Sequence, residues 1–233
     1  MTLAASGPIR LYSGPLSMFG AKVQIATLEK GLEVELVMVP FGMKLLYQPK
    51  HPEVLRINPK GQVPVLVHGE LELFDSTQIF EYLEELQPLP PLWPQALDDR
   101  ARARLLEHQS DEVYFPPVIR LMGLQDQPHD AAAVAAREAI ARYHGRMDGL
   151  LADRDFLAGA YSFADIAFYM AQLFGDRMGA AMDGNTPRLL AWRERMSQRP
   201  AVRQVAGAVA SYLLSQGRSL PPFMLDLLPS PGA

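Results

Sequence analysis

A serine stands at the predicted start of the first helix of this 233-residue chain. Ser17 begins the run SMFGAKV at residues 17–23, which follows a short apolar run at residues 9–12. The first turn of a helix collects unpaired backbone N–H groups and the positive end of the helix dipole, so an anion held there is stabilised before any side chain contributes. The Ser17 hydroxyl adds one more hydrogen-bond donor. This pattern favours a site for a negatively charged group.

Two later segments have residue types that suit the same ligand. Residues 58–66 read NPKGQVPVL, and Asp75-Ser76 precedes a run with helical spacing. A side-chain oxygen at such a position caps a helix, and the N–H groups behind it are a second place for a carboxylate. Together with Ser17, these segments predict a three-part site for a small anionic ligand.

The hydrophobic pattern around these segments predicts a strand–helix–strand unit followed by a helix and a hairpin. Residues 9–12 and 33–39 alternate as half-buried strands do, and the run between them has helical spacing. A strand–helix–strand unit implies a parallel pair with a right-handed crossover. Residues 63–68 and 71–74 are separated by two turn residues, which makes them an antiparallel pair. With the helix after Asp75, this is the plan of a thioredoxin-like domain.

A proline-rich run at residues 87–94 marks the end of this half, because proline does not continue a helix. After it the spacing of apolar residues is helical throughout, and Ser162 and Asp165 have the spacing of a capping box. The predicted fold class is therefore α/β plus all-α. The predicted divisions are an N-terminal domain at 1–86, a linker at 87–97 and an all-helical domain at 98–233.

The composition excludes several classes of function. The chain has no cysteine, so disulfides, thiolate metal sites and a protein-borne reactive thiol are excluded, and any thiol chemistry must use a thiol of the ligand. The five histidines lack metal-ligand spacing, and no metal is expected. A net charge of −4 argues against nucleic acid as a partner. No apolar run is long enough for a membrane span and no signal peptide is recognised, so a cytoplasmic location is expected.

Four motifs, in order, resemble those of the cytosolic glutathione transferases. Residues 17–23 resemble the family's serine-type motif, most closely its tau-type form, with Met18 where proline is usual. Residues 58–66 resemble the loop that presents its cis-proline, Asp75-Ser76 its acidic residue and serine, and residues 156–167 its C-terminal folding motif. The resemblance extends over about residues 9–205 and implies the fold of that family.

The resemblance implies a role for each segment in binding glutathione. Ser76 and Asp75 would hold the γ-glutamyl end, and the backbone of Val63, before a cis Pro64, would pair with the cysteinyl part. The glycine end would be held by residues among Gln62, Lys50 and His51.

Ser17 is then the candidate catalytic residue, because its hydroxyl can donate a hydrogen bond to the glutathione thiolate. Such a bond to an anion is worth about 1.5–3 kcal/mol, or roughly 1–2 units of thiol pKa. The serine stabilises the thiolate and is not itself a nucleophile. Tyr12 is the rival hydroxyl, and a plain helix-capping role is the alternative for Ser17.

The resemblance also implies a hydrophobic electrophile as second substrate, a homodimer and a role in detoxification. The predicted electrophile site is lined by Tyr114, Phe115, Ile119, Met122 and Tyr169, for each of which packing between helices is an equal alternative. Arg100, Arg104 and the helix after Asp75 are candidate dimer contacts.

Three functions agree with these features. The first is a glutathione transferase. The second is a glutathione-dependent enzyme with a narrow task, such as ether cleavage, dehalogenation or isomerisation. The third is a non-catalytic glutathione-binding or scaffold protein of the same fold. The identity of the electrophile and the class within the family are left open by the sequence.

Overall fold

The computed structural model describes residues 7–228, which form two compact units. The first unit comprises residues 7–90, 204–219 and 224–228, and the second comprises residues 91–203 and 220–223. Among the described residues, no helix is long and apolar enough to cross a membrane.

The first unit contains a four-stranded mixed sheet in the order β2-β1-β3-β4, in which β1 is parallel to β2 and antiparallel to β3, and β4 is antiparallel to β3. Its N-terminal elements are β1 (Ile9–Ser13), α1 (Met18–Glu29), β2 (Val34–Met38), α2 (Pro52–Ile57), β3 (Val65–His68), β4 (Leu71–Phe74) and α3 (Ser76–Leu86).

The alternation of side chains along the strands gives the sheet two apolar faces. On one face, Leu11 and Leu66 are buried against Val23 of α1 and Ile79 of α3. On the other face, Tyr12 and Val65 are buried with Val39 and with Val54 of α2. The helices α1 and α3 therefore cover one face, and α2 covers the other.

The second unit is built of helices, with α7 at its centre. Every residue of α7 from Phe163 to Gly175 is buried, which agrees with the wide apolar stripe in the sequence. The helices that follow α3 are α4 (Leu97–Gln109), a π-helical turn (Ser110–Tyr114), α5 (Phe115–Gly123), α6 (Ala131–Leu150), α7 (Phe163–Arg177), α8 (Pro187–Ser197), α9 (Pro200–Ser215) and α10 (Pro222–Leu225). The predicted fold class, a thioredoxin-like domain followed by an all-helical one, is confirmed.

The observed units differ from the predicted division at both ends. The ammonium group of Lys30, at the end of α1, donates to the carbonyl oxygens of Gln87 at 2.7 Å and Pro90 at 3.1 Å and pairs with Glu84 at 2.5 Å. These contacts hold residues 87–90 to the first unit. Most of α9, which was expected in the helical domain, also belongs to the first unit.

Asp165 joins three parts of the second unit through one carboxylate. Its Oδ1 accepts hydrogen bonds from the backbone N–H of Leu157 and the indole N–H of Trp192, both at 2.9 Å. Its Oδ2 accepts from the N–H of Ser162 at 3.0 Å and from the Ser162 hydroxyl at 3.1 Å. Burial raises the pKa of Asp165 to about 6, and these hydrogen bonds act in the opposite direction. The group is therefore largely ionised at neutral pH.

Tyr114 and His144 form a buried polar pair in the same unit. The Tyr114 hydroxyl lies 3.0 Å from Nε2 of His144, and the Tyr114 ring packs edge-on against Phe168. Burial, together with the nearby Arg193, lowers the pKa of His144 to about 4, and Asp183 acts in the opposite direction. The folded protein therefore keeps this imidazole neutral at pH values where an exposed histidine is charged.

Replacement of Asp165 by alanine should lower the free energy of unfolding by about 3 kcal/mol or more, because four buried donors lose their acceptor. Urea denaturation at neutral pH measures this. Asp153→Ala is the control, since Asp153 is exposed and paired with Arg154, and it should change stability by less than about 0.5 kcal/mol. A loss of less than about 1 kcal/mol for Asp165→Ala would contradict the assigned role.

His144 should make the protein less stable as the pH falls from 6.5 to 4. In this range the unfolded chain binds a proton that the folded chain does not, which costs about 2–3 kcal/mol by pH 4.5. Urea denaturation at pH 7 and 4.5 should show a correspondingly smaller drop for His144→Gln than for the wild type. His129→Gln, at an exposed position, should keep the wild-type drop. An equal drop in the wild type and His144→Gln would contradict this origin.

Candidate active site

The strand register brings the three predicted segments to one edge of the sheet. Tyr12 of β1 lies opposite Val65 of β3, and Val65 lies opposite Phe74 of β4. The end of β1, the start of β3 and the end of β4 therefore coincide. The segments next to these strand ends are residues 14–17, 62–64 and 75–76. They therefore lie at the same edge of the sheet.

Ser17 is the N-cap residue of α1. Its backbone is extended, its Oγ accepts a hydrogen bond from the N–H of Gly20 at 2.9 Å, and its N–H donates to the carbonyl of Gly14 at 3.1 Å. The side chain accepts in this bond, so the hydroxyl proton can still be donated to a ligand. Capping and ligand binding are therefore compatible at this position.

Residue 20 must be glycine, because neighbouring side-chain atoms fill the space that a β-carbon would occupy. A methyl group at Gly20 would collide with Oγ of Ser13 and lie 3.1 Å from Oγ of Ser17. The Ser13 hydroxyl, which is fully buried, accepts a hydrogen bond from the side chain of Gln24 at 2.7 Å. The glycine in the SMFGAKV motif thus allows two hydroxyl groups to lie against the first turn of α1.

The loop before β3 is held by Asn58. The Asn58 side chain donates to the carbonyl of Gln62 at 2.7 Å and accepts from the N–H of Lys60 at 3.0 Å. The next peptide bond, between Val63 and Pro64, is cis. Asn58 is buried, and its two hydrogen bonds fix the backbone just before Val63.

Asp75 and Ser76 form the start of α3. Asp75 is exposed, and its Oδ1 accepts hydrogen bonds from the N–H groups of Thr77 at 3.0 Å and Gln78 at 3.3 Å. Its φ of 76° is in the left-handed region, which is strained for a residue other than glycine and is often found at binding sites. Ser76, the first residue of the helix, is 3% exposed.

Two of the three residues predicted for the glycine end are brought together. A methyl group at Gly61 would lie 3.8 Å from Cδ of Lys50, so the Lys50 side chain lies beside Gly61. Gln62 follows Gly61 in the chain. His51 instead caps α2, with its Nδ1 accepting from the N–H of Glu53 at 3.3 Å, and its ring lies 5.1 Å from that of Tyr12.

Tyr12, the rival of Ser17, has its ring on the sheet face opposite to α1. The ring is buried there with Val65 of β3 and Val54 of α2, and it lies 5.1 Å from the ring of His51. This placement favours Ser17 over Tyr12.

Tyr47 covers the turn that leads to Ser17 and was not predicted. A methyl group at Gly14 would lie 2.7 Å from Cζ and 2.5 Å from Oη of Tyr47, so only glycine leaves room for this ring. Burial raises the pKa of the Tyr47 phenol. The ring also packs against Phe41 at 4.7 Å. A tyrosine in a long loop has no periodic pattern that could have indicated this contact.

The five residues predicted for the electrophile site are not brought to one surface. Tyr114, Phe115 and Tyr169 are buried in the core of the helical unit, and the Tyr169 hydroxyl lies 2.8 Å from that of Ser197. Ile119 and Met122 are 46% and 47% exposed on α5. The burial of the three aromatic residues therefore agrees with the alternative role, packing between helices.

Two family models match this chain. Residues 11–91 match the N-terminal domain of glutathione S-transferase, and residues 111–200 match its C-terminal domain. The chain is similar to glutathione S-transferase 1 of Dianthus caryophyllus, with 43% identity over 43% of this chain and 44% of that protein. It is also similar to a stringent starvation protein A homolog of Coxiella burnetii, with 36% identity over 45% of this chain and 47% of that protein. Each match thus spans less than half of the relative.

A solved structure extends the similarity over nearly the whole chain. The crystal structure of a glutathione S-transferase from Rhodospirillum rubrum F11 has a TM-score of 0.78 and 28% identity, and it covers 94% of this chain and 99% of its own. The two family models and this structure agree on the order of a thioredoxin-like half and a helical half. The chain belongs to the glutathione S-transferase family.

Proposed function

We propose that the protein is a glutathione transferase of the serine type. The observation that supports this most directly is the meeting of Ser17, Val63 and Ser76 at one edge of the sheet, as the strand register requires. Within the family, the motif at residues 17–23 most resembles the tau-type form of the serine-type motif.

Glutathione would lie across this edge with each part against a different segment. The N–H and the hydroxyl of Ser76 suit the γ-glutamyl carboxylate, and the exposed Asp75 carboxylate suits the ammonium group. The backbone of Val63 would pair with the cysteinyl part. Gln62 and Lys50 would hold the glycine carboxylate, with His51 contributing through the ring nitrogen that does not cap α2.

The Ser17 hydroxyl would donate a hydrogen bond to the thiolate while its oxygen still accepts from Gly20. One such bond to an anion, together with the positive end of α1, is enough to lower a thiol pKa from about 8.5 to near neutral. The thiol proton passes to water. The thiolate sulfur then forms a bond to carbon of the electrophile, and the leaving group departs with its electron pair, or an addition product takes up a proton.

A second candidate function is supported by one of the similarities. The Coxiella burnetii relative is named a stringent starvation protein A homolog and not a transferase. Similar sequences therefore include proteins that are not named as transferases. On this alternative the protein is a non-catalytic glutathione-binding or scaffold protein. Turnover of electrophiles distinguishes the two, because both can bind glutathione.

Replacement of Ser17 by alanine should raise the pKa of the bound thiol by about 1–2 units and lower turnover at neutral pH, because the thiolate loses a donor. Glutathione affinity should change little, since Ser76 and Val63 still hold the tripeptide. Thiolate absorbance against pH measures the pKa, calorimetric titration measures the affinity, and a panel of electrophiles measures turnover.

Ser17→Thr is the matched variant, because it keeps a hydroxyl at the same atom position and should retain a lowered thiol pKa. If the wild type gives no heat and no thermal shift with millimolar glutathione, the transferase proposal fails. If glutathione binds but Ser17→Ala leaves the titration unchanged, Ser17 is not the activating group.

We also propose that the protein is a homodimer, in which the first unit of one subunit contacts the helical unit of the other. Arg100, Arg104 and α3 are the proposed contacts. Sedimentation at micromolar concentration should then give a species of about twice 25.8 kDa, the mass of one chain. A single species at the monomer mass would contradict this assembly.

A further inference from the structure

The buried hydroxyl of Ser13 lies next to Ser17, against the first turn of α1. Ser13 is the last residue of β1, and alternation along the strand puts it on the same face as Leu11, which α1 covers. A β-carbon at Gly20 would lie 3.1 Å from Oγ of Ser17 and would collide with Oγ of Ser13. The two serine oxygens therefore border the same small space beside this glycine.

The Ser13 hydroxyl has a donor but no acceptor. The side-chain amide N–H of Gln24 donates to Ser13 Oγ at 2.7 Å. Among residues 7–228, no acceptor for the Ser13 proton lies within hydrogen-bond distance, although Ser13 is fully buried. A buried hydroxyl gains free energy when its proton finds an acceptor. The proton of Ser13 is thus left for a partner on the side away from Gln24.

The Ser17 oxygen can accept one more hydrogen bond. A serine oxygen has two lone pairs, and the N–H of Gly20 uses one of them in Ser17, at 2.9 Å. The second lone pair and the hydroxyl proton of Ser17 have no partner in the described part of the chain. Ser13 has a proton to donate, and Ser17 has a lone pair to receive it.

We propose that Ser13 is a positioning residue for the thiolate, whose hydroxyl donates to Oγ of Ser17 while Ser17 donates to the sulfur. This inference rests on the proposed transferase function. No hydrogen bond joins the two oxygens in the described structure. One is expected to form with the thiolate, because a hydroxyl that donates to an anion becomes a better acceptor. Gln24, Ser13 and Ser17 then form a hydroxyl chain in which each group donates to the next.

The composition of the hydroxyl chain sets the direction and size of its effect. The amide N–H of Gln24 can only donate, so Ser13 accepts from Gln24 and its proton is directed towards Ser17. Hydrogen bonds in a chain strengthen one another by about 10–30% per bond. Ser13 should therefore contribute a fraction of the effect of Ser17.

Replacement of Ser13 by alanine should raise the pKa of the bound glutathione thiol by roughly 0.2–0.6 units, because Ser17 keeps its own proton but loses a donor. Ser17→Ala should raise it by about 1–2 units. Thiolate absorbance against pH measures both values. Glutathione affinity, measured by calorimetric titration, should change little in Ser13→Ala, since the hydroxyl chain reaches the ligand only through Ser17.

A double variant separates a role through Ser17 from a general loss of packing. Ser13→Ala should raise the thiol pKa in the wild type and leave it unchanged in the Ser17→Ala background. Thr27→Val is the control, because it removes another buried hydroxyl, which donates to the carbonyl of Gln24 at 2.8 Å and lies further along α1. Thr27→Val should keep the wild-type thiol pKa.

Gln24→Glu tests the direction of the hydroxyl chain with little change in shape. A carboxylate can only accept, so the Ser13 proton turns to residue 24 and is lost to Ser17. The added negative charge also raises the thiol pKa, and the same substitution in the Ser17→Ala background measures that part alone. The rise should be larger in the wild type than in Ser17→Ala. This comparison is independent of Ser13→Ala and tests the proposal if that variant does not fold.

The outcomes separate the two proposals. If glutathione does not bind, or if Ser17→Ala leaves the thiol pKa unchanged, the role of Ser17 fails and the hydroxyl chain fails with it. If Ser17→Ala raises the pKa, but Ser13→Ala and Gln24→Glu each have equal effects in the wild type and in Ser17→Ala, Ser13 does not act through Ser17. The transferase proposal then stands without the hydroxyl chain.

Discussion

The antiparallel pairing of β3 with both β1 and β4 is the constraint on which the candidate site depends. The pairing of Val65 with Tyr12 on one side and with Phe74 on the other sets the register of three strands at once. A slip of one residue would turn every side chain to the other face, and Leu11 and Leu66 would leave the apolar layer under α1 and α3. The same core packing that stabilises the sheet therefore places the ends of β1 and β4 beside the start of β3.

The residues that follow the ends of β1 and β4 include two helix caps, and the type of each cap determines which ligand group it can bind. Ser17 and Asp75 each satisfy backbone N–H groups of a helix through one oxygen, so each residue has a structural role before any ligand binds. Because a hydroxyl both accepts and donates, Ser17 keeps a proton for a thiolate, whereas the Asp75 carboxylate can only accept. The two caps are suited to opposite ligand groups, an anion at α1 and an ammonium at α3.

The sequence predicted the parts of the fold that local patterns determine. Alternation over residues 9–12 and 33–39, the two-residue turn of the hairpin and the spacing of Ser162 and Asp165 each correspond to elements of the structure. Contacts between distant segments have no such local pattern. The fit of Tyr47 over Gly14 joins a loop to a turn more than thirty residues away. Apolar spacing likewise marked α9 as a helix, but spacing alone does not say which unit buries it.

The absence of acidic residues from the first turn of α1 favours a thiolate at Ser17. The first turn of α1 contains no acidic residue, whereas that of α4 contains Asp98 and Asp99. Acidic side chains in the first turn offset the positive end of the helix dipole, as they do in α4. In α1 that end is left for a ligand, and the chain has no cysteine of its own to compete as the thiol. A ligand thiol held at Ser17 would therefore lie near both the positive end of the α1 dipole and the Ser17 hydroxyl. Both favour the ionised thiol without a further charged residue.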